Sequence, residues 1–382
     1  KVHFRIDEKI MNYSIIKELH SSKIIVVKVG SNILVDKDQN IKKEWLQSLA
    51  KDIKKIRDEK NKVVIVSSGA IALGKKTLGK KNLNNLHDKQ AAASIGQIHL
   101  SQSWQAALSK VKVQSSQILL TAEDLENRRK YLNARNTIFA LLDLGVVPII
   151  NENDTTSTEE IRFGDNDKLS AIIANSISAE MLILLSDVNG LYTKDPKKNK
   201  NSQLLSEVTE INQTIISYVD HSKSDFGSGG MNAKIEAAKL CMQSGIKMII
   251  ANGLEKNSLK CINTKNSTWF IPQKNTRSRR HQWIWSRSSK IAVLHIDTGA
   301  AKALSKNSSL LAIGVKKVEG KFYRGDTISV KYNSKEMARG IINYDFEDIE
   351  AIKGKKSSSI NSILGFIRED EIIHKDNLVL IS

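Results

Sequence analysis

Short runs of β-branched and aliphatic residues alternate with longer amphipathic stretches over the first two thirds of the chain. Residues 23–31 read Lys-Ile-Ile-Val-Val-Lys-Val-Gly-Ser, too short and too rich in β-branched side chains for a helix. They predict a buried strand that breaks into a glycine turn. A helix is expected over about 43–60, where Trp45, Leu49, Ile53 and Ile56 recur at helical spacing. A second buried strand follows at 62–66, ending in Ser67-Ser68-Gly69-Ala70, and further strand-like runs fall at 116–120, 146–150, 181–185 and 246–251. Apolar strands alternating with helices predict an α/β architecture, a mostly parallel open sheet sandwiched by helices. This domain is assigned to 23–264.

The pattern changes after that. Residues 265–289 gather Lys274, Arg277, Arg279, Arg280 and Arg287 with Trp269, Trp283 and Trp285, and read as a basic linker. From 290 to 382 short strands are expected at 291–296, 311–315, 327–332, 337–343 and 377–380, punctuated by Gly320, Gly325 and Gly340. That predicts a small, mainly β second domain. Residues 1–22 mix polar and apolar side chains and are read as an N-terminal extension.

Composition narrows the classes of function. The chain has 382 residues, 40% hydrophobic and 26% charged, an ordinary soluble mixture, but its formal net charge is +18. The lysines are scattered, which favours a compositional origin, although the balance also suits nucleotides, acidic substrates or RNA. Two cysteines, Cys241 and Cys261, with no CxxC spacing, argue against a disulfide framework or a zinc site. No apolar run approaches the ~18 residues of a membrane span, and the first residues lack a secretory apolar stretch. A cytoplasmic protein without membrane partners is expected.

The candidate chemistry lies at strand ends. Four of them carry polar or glycine-rich groups: Lys28-Val29-Gly30-Ser31, Ser67-Ser68-Gly69-Ala70, Asn151-Glu152-Asn153-Asp154 and Ser186-Asp187. If the strands are parallel, these ends form one polar edge, where open parallel sheets bind ligands. One Asx-rich turn is common on any surface; four polar ends together are not required by folding. Lysine is unusual in an apolar strand, so Lys28 is read as reaching the edge to meet negative charge, against the alternative of snorkelling to solvent. Gly30 would let backbone approach an anion closely.

A second glycine-rich element, 224–230, leads into an expected helix at 235–244, and such a helix start is a ready anion site. Lys234 lies about one turn in, able to point back at what the glycines hold. The run 74–81, Gly-Lys-Lys-Thr-Leu-Gly-Lys-Lys, nearly matches a Walker phosphate loop. It lacks Ser or Thr after the lysine and follows a helix where a strand is needed, so it is read as a basic connector. The histidines show no ligand spacing. Two lysines, two glycine-rich sites and a group of amides and carboxylates at one edge suit phosphoryl transfer, which is mostly positioning and charge neutralisation. A carboxylate acceptor would already be ionised and would need no general base.

These motifs, with Phe163-Gly164-Asp165-Asn166-Asp167-Lys168, Ser186-Asp187-Val188-Asn189-Gly190-Leu191-Tyr192 and Gly229-Gly230-Met231-Asn232-Ala233-Lys234, resemble in order those of the glutamate 5-kinases, in the amino acid kinase family. The last ninety or so residues resemble the PUA domain, an RNA-binding type of β-barrel. The resemblance implies phosphorylation of L-glutamate by ATP with Mg²⁺, and inhibition by proline at or beside the glutamate site. Carried over by position, Lys28 and Lys234 would neutralise the transferring phosphoryl group, with Asp167 holding them. Ser68, Asn151, Asp154, Asp165 and Asn166 would bind glutamate. ATP would be held by Lys28, Ser186, Asp187 and the segment Ser228, Gly229, Gly230, Met231, Asn232, Ala233 and Lys234. Mg²⁺ would ride mainly on the phosphates, with no protein ligand assigned. A homo-oligomer, dimer or tetramer, and a weak RNA contact through the β domain are further expectations.

The family commonly has Thr where Ser31, Ser67, Ser186 and Ser228 stand, changes that keep the hydroxyl. Two other readings compete. One is another amino acid kinase, acting on acetylglutamate or aspartate. The other is an RNA-binding factor with a vestigial kinase, against which stand both lysines and Asp167.

Overall fold

The computed structural model describes residues 22–79, 82–83, 85–157, 166–196, 198–220, 230–273, 292–306 and 308–380. The chain divides into two compact units, 1–126 with 133–276, and 127–132 with 277–382.

The first unit is built on an eight-stranded sheet in the order β3-β4-β2-β1-β5-β7-β8-β6. Its strands are β1 Ile24–Val29, β2 Lys62–Ser67, β3 Ser115–Leu120, β4 Val147–Glu152, β5 Met181–Ser186, β6 Glu207–Val208, β7 Lys247–Asn252 and β8 Ser267–Phe270. The six from β3 across to β7 are all parallel to their neighbours, and β8 runs antiparallel to β7. The parallel sheet expected from the apolar runs is therefore present, and its strand ends do share one edge. Strand β8 carries that sheet beyond residue 264. Trp269, read with the basic linker, is buried in β8 instead, its indole N–H donating to Ser267 Oγ at 3.0 Å. The residues of the linker from 274 onward lie outside the described residues.

Strand side chains alternate between the two faces, and the alternation decides where the polar groups go. Ile25, Val27 and Val29 of β1 join a core with Trp45, Leu49, Leu100 and Trp104, from helices Lys43–Asp58 and Leu86–Ser109. Val26 joins the opposite core, with Leu169, Ile173, Ile235 and Ala238 from helices Asn166–Ser176 and Met231–Gln243. Lys28 shares the face of Val26, whereas Ser67 and Asn151 share the face of Ile65 and Ile149 on the other side. Strand β1 pairs with β2 on one side and β5 on the other, and the chain goes from β1 towards β2 but from β5 towards β7, in opposite directions. That is the switch point at which open sheets bind ligands.

The second unit carries a five-stranded mixed sheet in the order β10-β9-β11-β12-β13. Its strands are β9 Val293–Ile296, β10 Val315–Glu319, β11 Thr327–Tyr332, β12 Lys335–Ile341 and β13 Leu378–Leu380. Leu294, Leu304, Val330, Ile342, Tyr344 and Ile349 fill its core. The strand expected at 311–315 is displaced: Ala312–Gly314 forms a 3₁₀ turn, and pairing with β9 begins only at Val315.

Candidate active site

Three elements meet at the ends of β1 and β2. Lys28 is the penultimate residue of β1, opposite Val66 and Leu184, and only 6% exposed. Helix Asn166–Ser176 places Asp167 in its first turn, where a carboxylate also favours the helix dipole. Helix Met231–Gln243 begins at Gly230 and places Lys234, also 6% exposed, about one turn in. Lys28 Nζ lies 2.5 Å from Asp167 Oδ1 and Lys234 Nζ lies 2.9 Å from Oδ2. Burial pushes the Asp167 carboxyl up, and the two ammonium groups outweigh it, so its pKa lies below the usual carboxylate value. Buried ammonium groups need such a partner. Residues 67 positions apart (167 and 234) are thus joined.

The glycines beside these lysines are not demanded by folding. Gly30 has an ordinary φ of −73°, and a Cβ built there would lie 3.7 Å from Leu185 O and 3.8 Å from Lys28 Nζ, normal contacts. Gly230 has φ −62°, and a Cβ there would meet nothing among the described residues within 4 Å. Bare backbone next to two buried ammonium groups leaves room for an anion to approach both.

The residue before Asp167 serves the opposite face of the sheet. Asn166 Nδ2 donates to Ser68 Oγ at 2.7 Å, Asn151 Oδ1 at 2.9 Å and Ser67 O at 3.2 Å. Asn151 Nδ2 in turn donates to Gln97 Oε1 at 2.8 Å. Ser68, Asn151 and Asn166, three of the five residues expected on the amino-acid side, therefore form one hydrogen-bonded group. Asp154 stands half-buried in the turn that follows β4. That turn is fixed by Ser157 Oγ donating to Glu152 Oε1 at 3.0 Å. Asp165 lies outside the described residues.

On the other flank, Ser186 closes β5 opposite Asn252, and its hydroxyl donates to Asp187 Oδ1 at 3.3 Å. Asp187 also accepts from Asn32 Nδ2 at 3.4 Å. Met231, Asn232 and Ala233 form the first turn of the helix that carries Lys234; Ser228 and Gly229 lie outside the described residues. Sequence reasoning missed Gln97 and Asn32. The only signal for Gln97 was a spacing of seven shared with Gln90 and Trp104 on one helix.

Among the described residues, no group of three or more His, Cys, Asp or Glu is arranged to hold a metal ion. None of the described helices is long and apolar enough to cross a membrane. Two buried ammonium groups at the switch point of a parallel sheet, flanked by a neutral amide group, can offset the charge of an anion and hydrogen-bond a small polar molecule beside it.

Residues 23–252 match the model of the amino acid kinase family, and residues 292–364 match that of the PUA domain. The chain belongs to the amino acid kinase family and carries a PUA domain after the kinase domain. It is similar over 365 residues to the glutamate 5-kinase of Paramagnetospirillum magneticum, at 44% identity, covering 95% of this chain and 99% of that protein. The glutamate 5-kinase of Pelagibacter ubique is 48% identical over 365 residues, with coverage of 94% and 99%. A carbamate kinase from Giardia lamblia bound to AMP-PNP superposes with a TM-score of 0.49 at 17% identity, over 66% of this chain and the whole of that one.

Proposed function

We propose that this chain transfers the γ-phosphoryl group of ATP to the side-chain carboxylate of L-glutamate, giving ADP and L-glutamyl 5-phosphate, the first step of proline synthesis. The observation that carries this reading is the meeting of Lys28 and Lys234 at Asp167. The similarity to glutamate 5-kinases over nearly the full chain supports the choice of acceptor.

A carboxylate oxygen of glutamate attacks the γ-phosphorus, the bond from phosphorus to the bridging β-oxygen breaks, and ADP leaves with that electron pair. No proton need move, because the acceptor is already ionised. The work left to the protein is to align the groups and to offset charge spreading over the equatorial oxygens. Lys28 and Lys234 take that role, with Asp167 fixing both. Ser186, Asp187 and the 228–234 segment hold ATP. Ser68, Asn151, Asp154, Asp165 and Asn166 hold glutamate, the carboxylates facing its ammonium. Mg²⁺ bound to the phosphates would add cationic charge to the same oxygens; no protein ligand is assigned to it.

Proline shares the α-carboxylate and ammonium of glutamate, so feedback inhibition through the amino-acid side follows from the same groups. We also propose a homo-oligomer, a cytoplasmic location and a weak RNA contact through the PUA domain. An assay of ADP release with glutamate, N-acetylglutamate and aspartate, with and without proline, tests the reading. Turnover on glutamate, reduced by proline, is expected. Turnover on another acid with glutamate inert would overturn it.

A further inference from the structure

Strand β3 is an edge of the eight-stranded sheet, paired with β4 alone among the described residues. Natural edges are usually guarded by a charge, a proline or a bulge. Ser115–Leu120 has none of these: it reads Ser-Ser-Gln-Ile-Leu-Leu, and its register with β4 runs without a break. Helix Leu86–Ser109 lies beside it, and Ser101 Oγ donates to Gln117 Oε1, so helix and strand make one surface.

The inner side of that helix is already bonded. Gln90 Nε2 donates to Ser157 O at 3.1 Å, Gln97 Oε1 accepts from Asn151 Nδ2 at 2.8 Å, and Trp104 Nε1 donates to Ser67 Oγ at 2.9 Å. Its outer side carries Ser94, Ile98, His99, Gln102 and Gln105, all exposed, and from Gln90 to Ser109 no residue is Lys, Arg, Asp or Glu. Helix Lys43–Asp58, which shares its core, is the contrast. The exposed residues there are Lys43, Glu44, Lys51, Lys55 and Asp58, every one of them charged. Between Gln90 and Ala122 the only charges are Lys110 and Lys112, in a chain that is 26% charged. One exposed apolar side chain is ordinary. A whole outward face stripped of charge is what the core of a protein interface looks like.

The charge on the rest of the chain selects what can cover this face. A nucleic acid or an anionic membrane needs Lys or Arg, which the face lacks. One isoleucine among serines and glutamines is too little to enter lipid. A second copy fits. The chain carries a formal net charge of +18, so two copies repel over most of their surfaces and can meet without burying like charges where charge is absent. The helix has 24 residues and is about 36 Å long at ~1.5 Å per residue. A face that long and about 20 Å wide, strand included, is on the order of the ~800 Å² per partner of a stable interface. Ile98, 61% exposed, stands at its middle.

We propose that this chain pairs with a second copy of itself across a two-fold axis, helix Leu86–Ser109 against the same helix. Ile98 of each copy faces the other near the axis, and β3 lies at the flank. This rests on the homo-oligomer reading given above and assigns the surface that makes it.

The test is sedimentation equilibrium of the full chain beside Ile98→Asp and Ile98→Lys. Each variant alone should self-associate about a hundredfold or more weakly, because the axis sets every new charge against its own copy. An equal mixture of the two should regain most of the loss, since Asp then faces Lys. A monomeric parent chain overturns both the homo-oligomer reading and this surface. A parent oligomer whose mass is unchanged in both variants leaves that reading standing and overturns this surface. A mixture no more associated than either variant alone overturns the two-fold pairing. Ile98→Cys decides the matter if the charges disturb the fold. Combined with Cys261→Ser, which removes the other exposed thiol, it should yield a covalent dimer on mild oxidation, and a chain that stays single under those conditions overturns the proposal.

Discussion

The two halves of the site sit on opposite faces of one sheet and work by different physics. On one face Lys28, Lys234 and Asp167 are charged and almost fully buried. On the other, Ser68, Asn151 and Gln97 are neutral and are tied by hydrogen bonds. Helix Asn166–Ser176 starts between them, giving Asn166 to the neutral half and Asp167 to the charged half. An ammonium or carboxylate acts through its charge and tolerates rotation. An amide has a donor end and an acceptor end, and turned the wrong way it repels what it should hold. The charged half therefore depends on compensation, and the neutral half on orientation. Each can be broken in its own way.

The largest expected effect is on stability, from Asp167→Asn. It leaves two buried ammonium groups without their carboxylate, and loss of one partner from a buried pair costs about 3–5 kcal/mol. Denaturant unfolding of parent and variant would measure it. The pH dependence follows from the depressed pKa of Asp167. A carboxyl depressed in the folded state contributes stability that is present above its unfolded pKa, near 3.9, and is lost as pH falls through the folded value. The gap between parent and variant should be full at pH 7 and narrow below about pH 4. A gap of the same size at pH 3 would mean that Asp167 is not ionised by its lysines.

Next in size are the lysines. Lys28→Ala and Lys234→Ala should each lower turnover by about 10²-fold or more, the scale of losing one charge-stabilising group. Near-normal turnover in either would remove that lysine from the transfer step. The residues proposed to hold the amino acid should respond in KM instead of turnover. Asp154→Ala is expected to raise KM for glutamate by about tenfold or more, as for a lost charge-assisted bond. A change confined to ATP would place Asp154 on the wrong side of the site.

The same contrast explains what could be read from the sequence. Lys28 stands out as a charge in an apolar strand, and four polar strand ends predict the shared edge. Both lysines are expected at that edge from the residues alone, whereas Asp167 as the group that ties them together comes only from resemblance, because nothing local links positions so far apart. Gln97 carried no signal of its own. A glutamine on a long helix is ordinary, and its partner Asn151 is 54 positions away. The spacing from Gln90 to Trp104 means something only when the face it occupies is known. In the second unit the 311–315 run was apolar enough for a strand, yet Gly314 closes a 3₁₀ turn and the ladder starts one residue later. Trp269 was masked by the basic residues that follow it, although its burial on an added antiparallel strand is ordinary packing.

The smallest expected effect sharpens the comparison most, because it separates folding from function at one atom. In the sequence, Gly30 reads as a point that lets backbone approach an anion closely. Its φ of −73° is open to any residue, and an added methyl would make only normal contacts, at 3.7 Å and 3.8 Å. Gly30→Ala should therefore leave the fold unharmed, or raise its stability by about 0.4–1 kcal/mol through a less flexible unfolded chain. The same methyl would stand beside the Lys28 ammonium, in the space that the proposed phosphoryl transfer gives to a phosphate oxygen. KM for ATP should rise by about fivefold, roughly 1 kcal/mol, while KM for glutamate holds. Thermal melting and initial rates on one preparation measure both. If stability falls and ATP binding does not change, the glycine serves the turn after β1, and the space above Lys28 is not where the phosphate enters.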